Sequence, residues 1–569
     1  MNVEKGKEVR LLLPSFFTIV TLISGCGSYN DVRKTPSIVG DLHDNNAWYQ
    51  EMPQTLLETR ISIPVPNEDK CVPWNDLNAS PRPCTFDDVW HDTDSTDDYE
   101  PELHVHYEND EYLRNGINAS LIQKGKTTRH AKQKSFRIKF FSKTDLFYNE
   151  RTMQLNKHPF DRSRVRNKLF FELFQDIPNF NSLRTRFLHV TIDDDGNVTD
   201  QGLFTHIEKG DKQYLINHGY STEDNLYKTQ NFAFRMQKEL ELDAKGKPID
   251  PKAFDSVITI VNGKDTYKLI NMLNAIHAAK TDEAFMKVFD RYFNRANYLT
   301  WLAVNIVSGN KDTISQNFFL LNPKYSDTFY FTPWDYDGAG RKPIKYALWE
   351  YGISTWWGVI LHKKFLKIKK NRDDLDAMVY NIRNNYMSDA IIHAKMDKFR
   401  PIVEPFMLRS PDKDHLPHSR WEEDFTALRN TRIATNMWEY ESQKGVPMPF
   451  WQSANYYDNN QTLKVTWDKS VDLEGDDILY NLQVTTFDDA NFTKPFIDEQ
   501  NISETDSRVI YESWGNFIYN KHLSLKPGHY YMKVISFEKD NPAHRQIAFD
   551  KEVEINDVKY FGVLEFKID

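Results

Sequence analysis

Residues 308–321 read SGNKDTISQNFFLL and residues 329–340 read FYFTPWDYDGAG. We call these two blocks together the decisive stretch. The first block places Asp312 in a polar loop, followed five residues later by Asn317 and then by a short apolar run. The second block is another apolar run, which leads to Asp335. Short apolar runs bounded by turn residues are typical of buried strands. We therefore predict a helix over residues 283–308, a polar loop, two short strands at 318–321 and 328–331, and a second polar loop.

The polar residues of these two loops are of the types that phosphoryl transfer from ATP requires. One carboxylate must orient or deprotonate the acceptor hydroxyl, and oxygen ligands must hold Mg²⁺ against the phosphates. Protein kinases place an Asp and an Asn five residues apart, and present a metal-binding Asp after two further strands. Asp312, Asn317 and Asp335 reproduce that order. However, Asn-Lys at 310–311 replaces the usual His-Arg, and Tyr-Asp-Gly at 336–338 replaces the usual Phe-Gly.

Further blocks occur in a regular order before this stretch. They are KGKTT at 124–128, KSFRIKF at 134–140, LN at 155–156 with Asp161 and RNKL at 166–169, GLF at 202–204 with Glu208, and NLYK at 225–228. In order and in sequence they resemble the blocks of the spore-coat protein H (CotH) kinase family, with Lys124 in place of the usual Arg. The resemblance extends from about Leu103 to about Tyr440.

This resemblance implies an α+β fold in which residues 103–446 form an atypical, two-lobed, protein-kinase-like domain. It also implies transfer of the ATP γ-phosphate to protein Ser or Thr with Mg²⁺. By position, Asp312 is expected to be the catalytic carboxylate and Asp335 the principal Mg²⁺ ligand. Asn317 is expected to be a second metal ligand and Asp337 a helper.

The lysine that anchors the nucleotide phosphates has more than one interpretation. Kinases carry this lysine on a strand before a helix and pair it with an acid. Lys134 fits this description, with Glu208 at a strand end, or Glu172 on the following helix, as its acidic partner. Arg166 is expected to contact phosphate. The alternatives are that Lys134 is a solvated lysine and that Glu208 and Arg166 form only structural ion pairs.

The first 26 residues follow the order of a bacterial lipoprotein signal. Basic residues precede an apolar run over residues 11–23, which is short for a membrane span, and the run ends in LISGC at 22–26. This resembles a lipobox, in which the thiol of Cys26 is lipidated; an ordinary secretory signal or an uncleaved anchor is the alternative. Gly27 favours the outer membrane. We therefore expect an exported lipoprotein, attached to the membrane by its lipid and facing the periplasm or the cell surface.

Residues 27–102 are polar and predict an N-terminal extension that acts as a tether. This stretch contains Cys71 and Cys84, the only cysteines besides Cys26. Export would permit a disulfide that closes a proline-rich loop between them, and two free thiols are the alternative.

Length and charge limit the classes of partner. The chain has 569 residues, which predicts two or three domains, and 40% of them are hydrophobic, enough to build cores. The net charge is -10 and the sequence has no long basic stripe. Nucleic acid is therefore not an expected partner. We expect a protein substrate or a surface partner.

The sequence after residue 446 has a different texture. Leu463, Val465 and Trp467 alternate with polar residues, and GHYYMKV at 528–534 is typical of a turn followed by a strand. These patterns predict a β-sandwich over residues 447–569 that resembles a fibronectin type III or Ig-like module. A binding module of this kind leaves a second function open: a catalytically inactive adhesion or envelope-assembly protein on a kinase-like scaffold.

Overall fold

The computed structural model describes residues 42–568 apart from 51–55, 66, 68, 95–98, 179, 343–344, 513–514, 550–552 and 556–557. The predicted signal peptide, including Cys26, lies outside this part of the chain. Within the described ranges, no helix is long and apolar enough to cross a bilayer. The fold is mixed α+β with a sheet-rich C-terminal region, which confirms the predicted class. The kinase-like, two-lobed arrangement stays a prediction.

The first large unit is a closed barrel. The strands before residue 340 are β1 (Leu57–Ile63), β2 (Lys70–Cys71), β3 (Arg82–Pro83), β4 (Leu103–Asn109), β5 (Ala119–Lys124), β6 (Ser135–Phe140), β7 (Thr152–Asn156), β8 (Thr185–Asp194), β9 (Asn197–Ile207), β10 (Asn225–Thr229), β11 (Ile258–Asn262), β12 (Phe318–Asn322) and β13 (Tyr330–Pro333). The barrel has the strand order β1-β4-β5-β6-β7-β9-β8. Strand β1 closes it by pairing parallel to β8 and antiparallel to β4.

The polar N-terminal extension is more structured than the sequence suggested. Strand β1 alternates buried and solvent-facing residues, and its Leu57, Ile61 and Ile63 enter the barrel core. Cys71 and Cys84 are joined in a disulfide next to the β2–β3 ribbon. The expected tether at 27–102 therefore includes a strand of the barrel, whose partners β4 and β8 are distant in the chain.

Helices cover much of the remaining chain up to residue 442. They are α1 (Ala47–Gln50), α2 (Phe86–His91), α3 (Arg166–Gln175), α4 (Lys212–Asn217), α5 (Pro251–Val257), α6 (Thr266–Ala278), α7 (Asp282–Tyr292), α8 (Arg295–Ser308), α9 (Ile360–Lys367), α10 (Lys369–Asn385), α11 (Asp389–Met407), α12 (Asp412–His415), α13 (His418–Asn430) and α14 (Arg432–Ser442). The single helix predicted over 283–308 is two, α7 and α8. Asn294 interrupts it, because its side chain accepts the backbone N–H of Asn297 (2.9 Å) and begins a new helix.

A second sheet supports the decisive stretch. Its order is β11-β10-β12-β13, and its pairs are antiparallel. The buried helix α8 packs on this sheet, where the rings of Trp301 and Phe331 stack with their centres 4.4 Å apart. Strand β12 covers the strand predicted at 318–321, whereas β13 begins and ends two residues later than the strand predicted at 328–331. The loops at the ends of α8 and β13 are thereby held on a rigid core.

The C-terminal region forms a β-sandwich. Its strands are β14 (Gln452–Tyr457), β15 (Thr462–Asp468), β16 (Ile478–Thr486), β17 (Ile497–Ile502), β18 (Val509–Glu512), β19 (Asn516–His522), β20 (Gly528–Glu538), β21 (Arg545–Ile547), β22 (Val553–Ile555), β23 (Val558–Tyr560) and β24 (Leu564–Ile568). One sheet has the order β14-β15-β19-β18 and the other β17-β16-β20-β21, with β24 beside β20. They share one core, in which Trp467 stacks on Phe517 at 5.2 Å. The likeness to fibronectin type III stays a prediction.

Candidate active site

The loop after α8 presents Asp312. The helix ends at Gly309, whose φ of 63° is the left-handed conformation that glycine adopts readily. A 3₁₀ turn over Lys311–Thr313 follows. It is fixed at one end because the Thr313 hydroxyl donates to the side chain of Asn305 at 2.8 Å. Asp312 itself is exposed, so its carboxylate can meet an incoming molecule.

Asn317 lies beside Asp312, as the spacing of the two residues predicted. Its side-chain amide donates to one carboxylate oxygen of Asp312 at 2.9 Å, and the amide of Gln316 donates to the other at 2.8 Å. Asn317 has a φ of 58°, a conformation that asparagine adopts more readily than most residues. The two amides therefore hold the Asp312 carboxylate in one orientation.

Asp335 follows β13 and is held by helix α3. The side-chain amide of Asn167 donates to Asp335 at 3.3 Å, and its oxygen accepts the backbone N–H of Tyr336 at 2.6 Å. The Tyr336 ring is buried against Phe174, with centres 5.1 Å apart. Asp335 has a φ of 51°, so these contacts on both sides stabilise an unfavourable backbone conformation.

The two loops touch at Gly338. A Cβ on this glycine would lie 2.8 Å from the Cβ of Asp312, closer than side chains pack. Asp337, between Gly338 and Asp335, is largely buried. Burial, together with the charges of Asp335, Asp161 and Asp312, raises the pKa of Asp337 to about 7, although Arg341 at 3.1 Å opposes the shift. The carboxylates of the two loops are therefore close enough for their charges to interact.

Two lysines face this acidic region from the sheets. Lys124 ends β5 and donates to the side chain of Asn156. Burial lowers the pKa of Lys124 to about 8, and the charge of Asp335 opposes that shift. Burial likewise lowers the pKa of Lys228 on β10, and the charge of Asp335 opposes that shift. The two ammonium groups lie 5.8 Å and 4.8 Å from the centre of the Trp334 ring.

Lys134 and Glu208 do not form the predicted pair. Lys134 donates to the backbone carbonyl of Arg129. Glu208 is buried and accepts from His218 (3.1 Å), from the indole of Trp48 (3.0 Å) and from a backbone N–H. These contacts fix Glu208 in the core between the N-terminal segment and the end of β9. Lys134 precedes helix α3 in the chain, as the kinase lysine precedes its helix, but its ammonium group is bound to the Arg129 carbonyl.

Arg166 has a structural position rather than the predicted contact with phosphate. Its guanidinium is 2% exposed and pairs with Asp161 and with Asp424, the latter at 2.7 Å. It also donates to the carbonyl of Gly340 at 3.3 Å, just beyond the Asp335 loop. Its two terminal nitrogens thus contact neighbouring protein groups, and Arg166 supports the loop from behind.

Asn167, Lys124 and Lys228 were not predicted as site residues, although each lies in a block that carried the family resemblance. Asn167 belongs to RNKL at 166–169, Lys124 begins KGKTT, and Lys228 ends NLYK. The blocks indicate which segments matter but not which of their side chains face the site, since neighbouring polar residues within a block point to different sides. Only the pairing of the strands reveals which lysine faces the acids.

Comparison with known proteins agrees with this geometry. A family model described as CotH kinase protein matches residues 121–440, more than half of the chain. The chain belongs to the CotH kinase family. This confirms the family predicted from the sequence blocks. The CotH match contains the acidic loops and both lysines, but it begins after the barrel strands β1 and β4 and ends before the sandwich.

One curated relative is also similar to this CotH-family chain. The inner spore coat protein H of Bacillus subtilis (strain 168) is 24% identical over 231 residues, which cover 40% of this chain and 60% of that protein. The chain therefore spans less than two thirds of the length of that relative.

The donor set suits a hard divalent cation. Asp335, Asp337 and Asn317 offer carboxylate and amide oxygens, the ligands that Mg²⁺ prefers. Burial and the neighbouring carboxylates both disfavour a charged Asp337, and a divalent cation bound there would stabilise the charged form. On this observation the residues present fit a Mg²⁺ ion.

Proposed function

We propose that this CotH-family protein is a Mg²⁺-dependent atypical kinase that transfers the ATP γ-phosphate to Ser or Thr of a protein. The observation that carries the proposal is the contact at Gly338, which brings the Asp335–Asp337 loop against Asp312. Membership of the CotH kinase family supports the same reaction. In this proposal the barrel and the helical part act as the two lobes of a kinase-like domain.

Each residue has a role that follows from its surroundings. Asp335, Asp337 and Asn317 would hold Mg²⁺, which when bound neutralises charge on the phosphates. Asp312 is exposed and held by two amides, so it is suited to orient the acceptor hydroxyl and accept its proton. Lys124 lies beside the acids and supplies positive charge for the nucleotide phosphates.

We further propose that the protein acts at the cell surface. The similarity to an inner spore coat protein supports a surface location. The predicted lipobox at Cys26 supports anchoring by lipid, in the outer membrane. A surface kinase must receive ATP or another phosphate donor there, or act during export.

The reaction is tested by incubating the purified protein with γ-labelled ATP and Mg²⁺ and following both self-labelling and release of labelled phosphate. We expect Asp312→Asn to reduce transfer by about 10²-fold or more, as loss of a general base does. Asp290→Asn, an exposed change on α7, is the matched control and should transfer normally. A folded wild-type protein without transfer or hydrolysis would instead favour the surface-binding function.

A further inference from the structure

A cationic cleft lies where helix α9 meets the β-sandwich. It measures about 570 Å³ and is lined by the end of α6 and the α6–α7 turn, by α9, and by strands β15, β18 and β19. Cavities of roughly 300–1,000 Å³ are the usual size of small-molecule sites. None of the residues that line the cleft belongs to the candidate active site.

Four lysines converge on this cleft. Lys363, Lys364 and Lys367 come from α9, and Lys280 comes from the turn after α6. Lys364 is 6% exposed and donates to the carbonyl of Ala279 at 2.8 Å. Burial and the charges of the other three lysines lower the pKa of Lys364 to about 8. The fold therefore holds several ammonium groups close together despite their repulsion.

The acids around the cleft compensate this charge in part. Lys363 forms an ion pair with Asp468 of β15, and Glu512 also lines the cleft. Lys367 extends to the sandwich, where a Cβ on Gly515 would lie 2.8 Å from its ammonium nitrogen. Asp282, outside the lining, also acts on Lys367. Four lysines against these three carboxylates leave the cleft a net positive charge.

We infer that this cleft binds a small anion that carries two or more phosphate groups. Lysine ammonium groups bind phosphate as point charges. Ammonium groups on separate elements can reach separate phosphates of one ligand, and a bound anion would relieve their mutual repulsion. Because the cleft lies between the kinase-family domain and the sandwich, such a ligand would also contact both.

The test is titration calorimetry with inorganic tripolyphosphate in the absence of Mg²⁺. The purified protein carries Lys124→Gln and Lys228→Gln, so that binding at the candidate active site does not contribute. We expect one tripolyphosphate per chain. Adding Lys280→Gln and Lys367→Gln should weaken binding at least tenfold.

The matched control adds Lys252→Gln and Lys398→Gln, which remove the same charge from exposed positions elsewhere. We expect its affinity to stay within twofold. Lys280→Glu alone changes an exposed side chain, so it tests the cleft even if the double change unfolds the protein, and it should also weaken binding. Absence of binding, or equal loss in the cleft variants and the control, would overturn the inference. Neither result bears on the proposed phosphate transfer, which Asp312→Asn tests separately.

Discussion

Replacing Arg166 with Met distinguishes a structural arginine from a phosphate ligand. Met keeps most of the side-chain volume but removes the charge that faces Asp161, which is fully buried, and Asp424, which is 15% exposed. Removing one partner of a buried ion pair leaves an uncompensated charge, and this costs about 3–5 kcal/mol. The Gly340 carbonyl also loses a donor. We therefore expect the free energy of unfolding to fall by about 3–5 kcal/mol.

Urea unfolding of the purified protein measures this effect. With an m value of about 3 kcal/mol/M, the transition of the kinase-family domain should move down by roughly 1 M or more. Arg162→Met is the matched control, since Arg162 is exposed four residues earlier, and its effect should stay within about 0.5 kcal/mol. If Arg166→Met were as stable as Arg162→Met but bound nucleotide weakly, the structural role would be refuted.

Three further predictions follow from buried charges. Burial disfavours a charged His218, but its ion pairs with Glu208 and Asp44 outweigh burial and raise its pKa to about 9. Stability on the order of 3 kcal/mol, present in full below about pH 6.5, should therefore be lost as the pH rises to about 9. His218→Gln should flatten this pH profile, measured by urea unfolding at each pH. Asp412→Ala leaves the ammonium group of Lys157 buried without the carboxylate that lies 2.7 Å away, so the free energy of unfolding measured in urea should fall by about 3–5 kcal/mol. Adding Lys157→Met should restore part of this loss, and effects of the two changes that simply add would contradict the pairing. Lys124→Met should weaken Mg·ATP binding at least tenfold in calorimetry, whereas Lys134→Met should change it less than twofold. The reverse order would show that Lys134 anchors the nucleotide phosphates, as the sequence predicted.

Local patterns predicted much of this fold. The apolar runs of the decisive stretch predicted strands β12 and β13. The alternation in β15 and the turn-and-strand pattern of β20 predicted the sandwich. The strand β1 was missed because a seven-residue run gives little signal when its partners, β4 and β8, are distant in the chain. The interruption between α7 and α8 was missed because apolar spacing continues across Asn294.

The acidic half of the site was easier to predict than its basic half. Asp312 and Asn317 are five residues apart on one loop, so local geometry brings them together. The choice between Lys124 and Lys134 depends on which side of the β5–β6 pair each faces. A one-residue change of register reverses that direction, and the sequence does not fix it. For the same reason, the sequence does not distinguish a buried, structural arginine such as Arg166 from an arginine that binds phosphate.

The decisive measurement is the Mg²⁺ dependence of nucleotide binding. Calorimetry with a non-hydrolysable ATP analogue measures it. If the two acidic loops form one metal–nucleotide site, the wild-type protein binds the analogue with Mg²⁺ and loses at least tenfold in affinity with EDTA. Asp335→Asn should then bind weakly under both conditions, while Asp290→Asn behaves as wild type. Equal affinity with and without Mg²⁺, or unchanged binding by Asp335→Asn, would contradict a shared site.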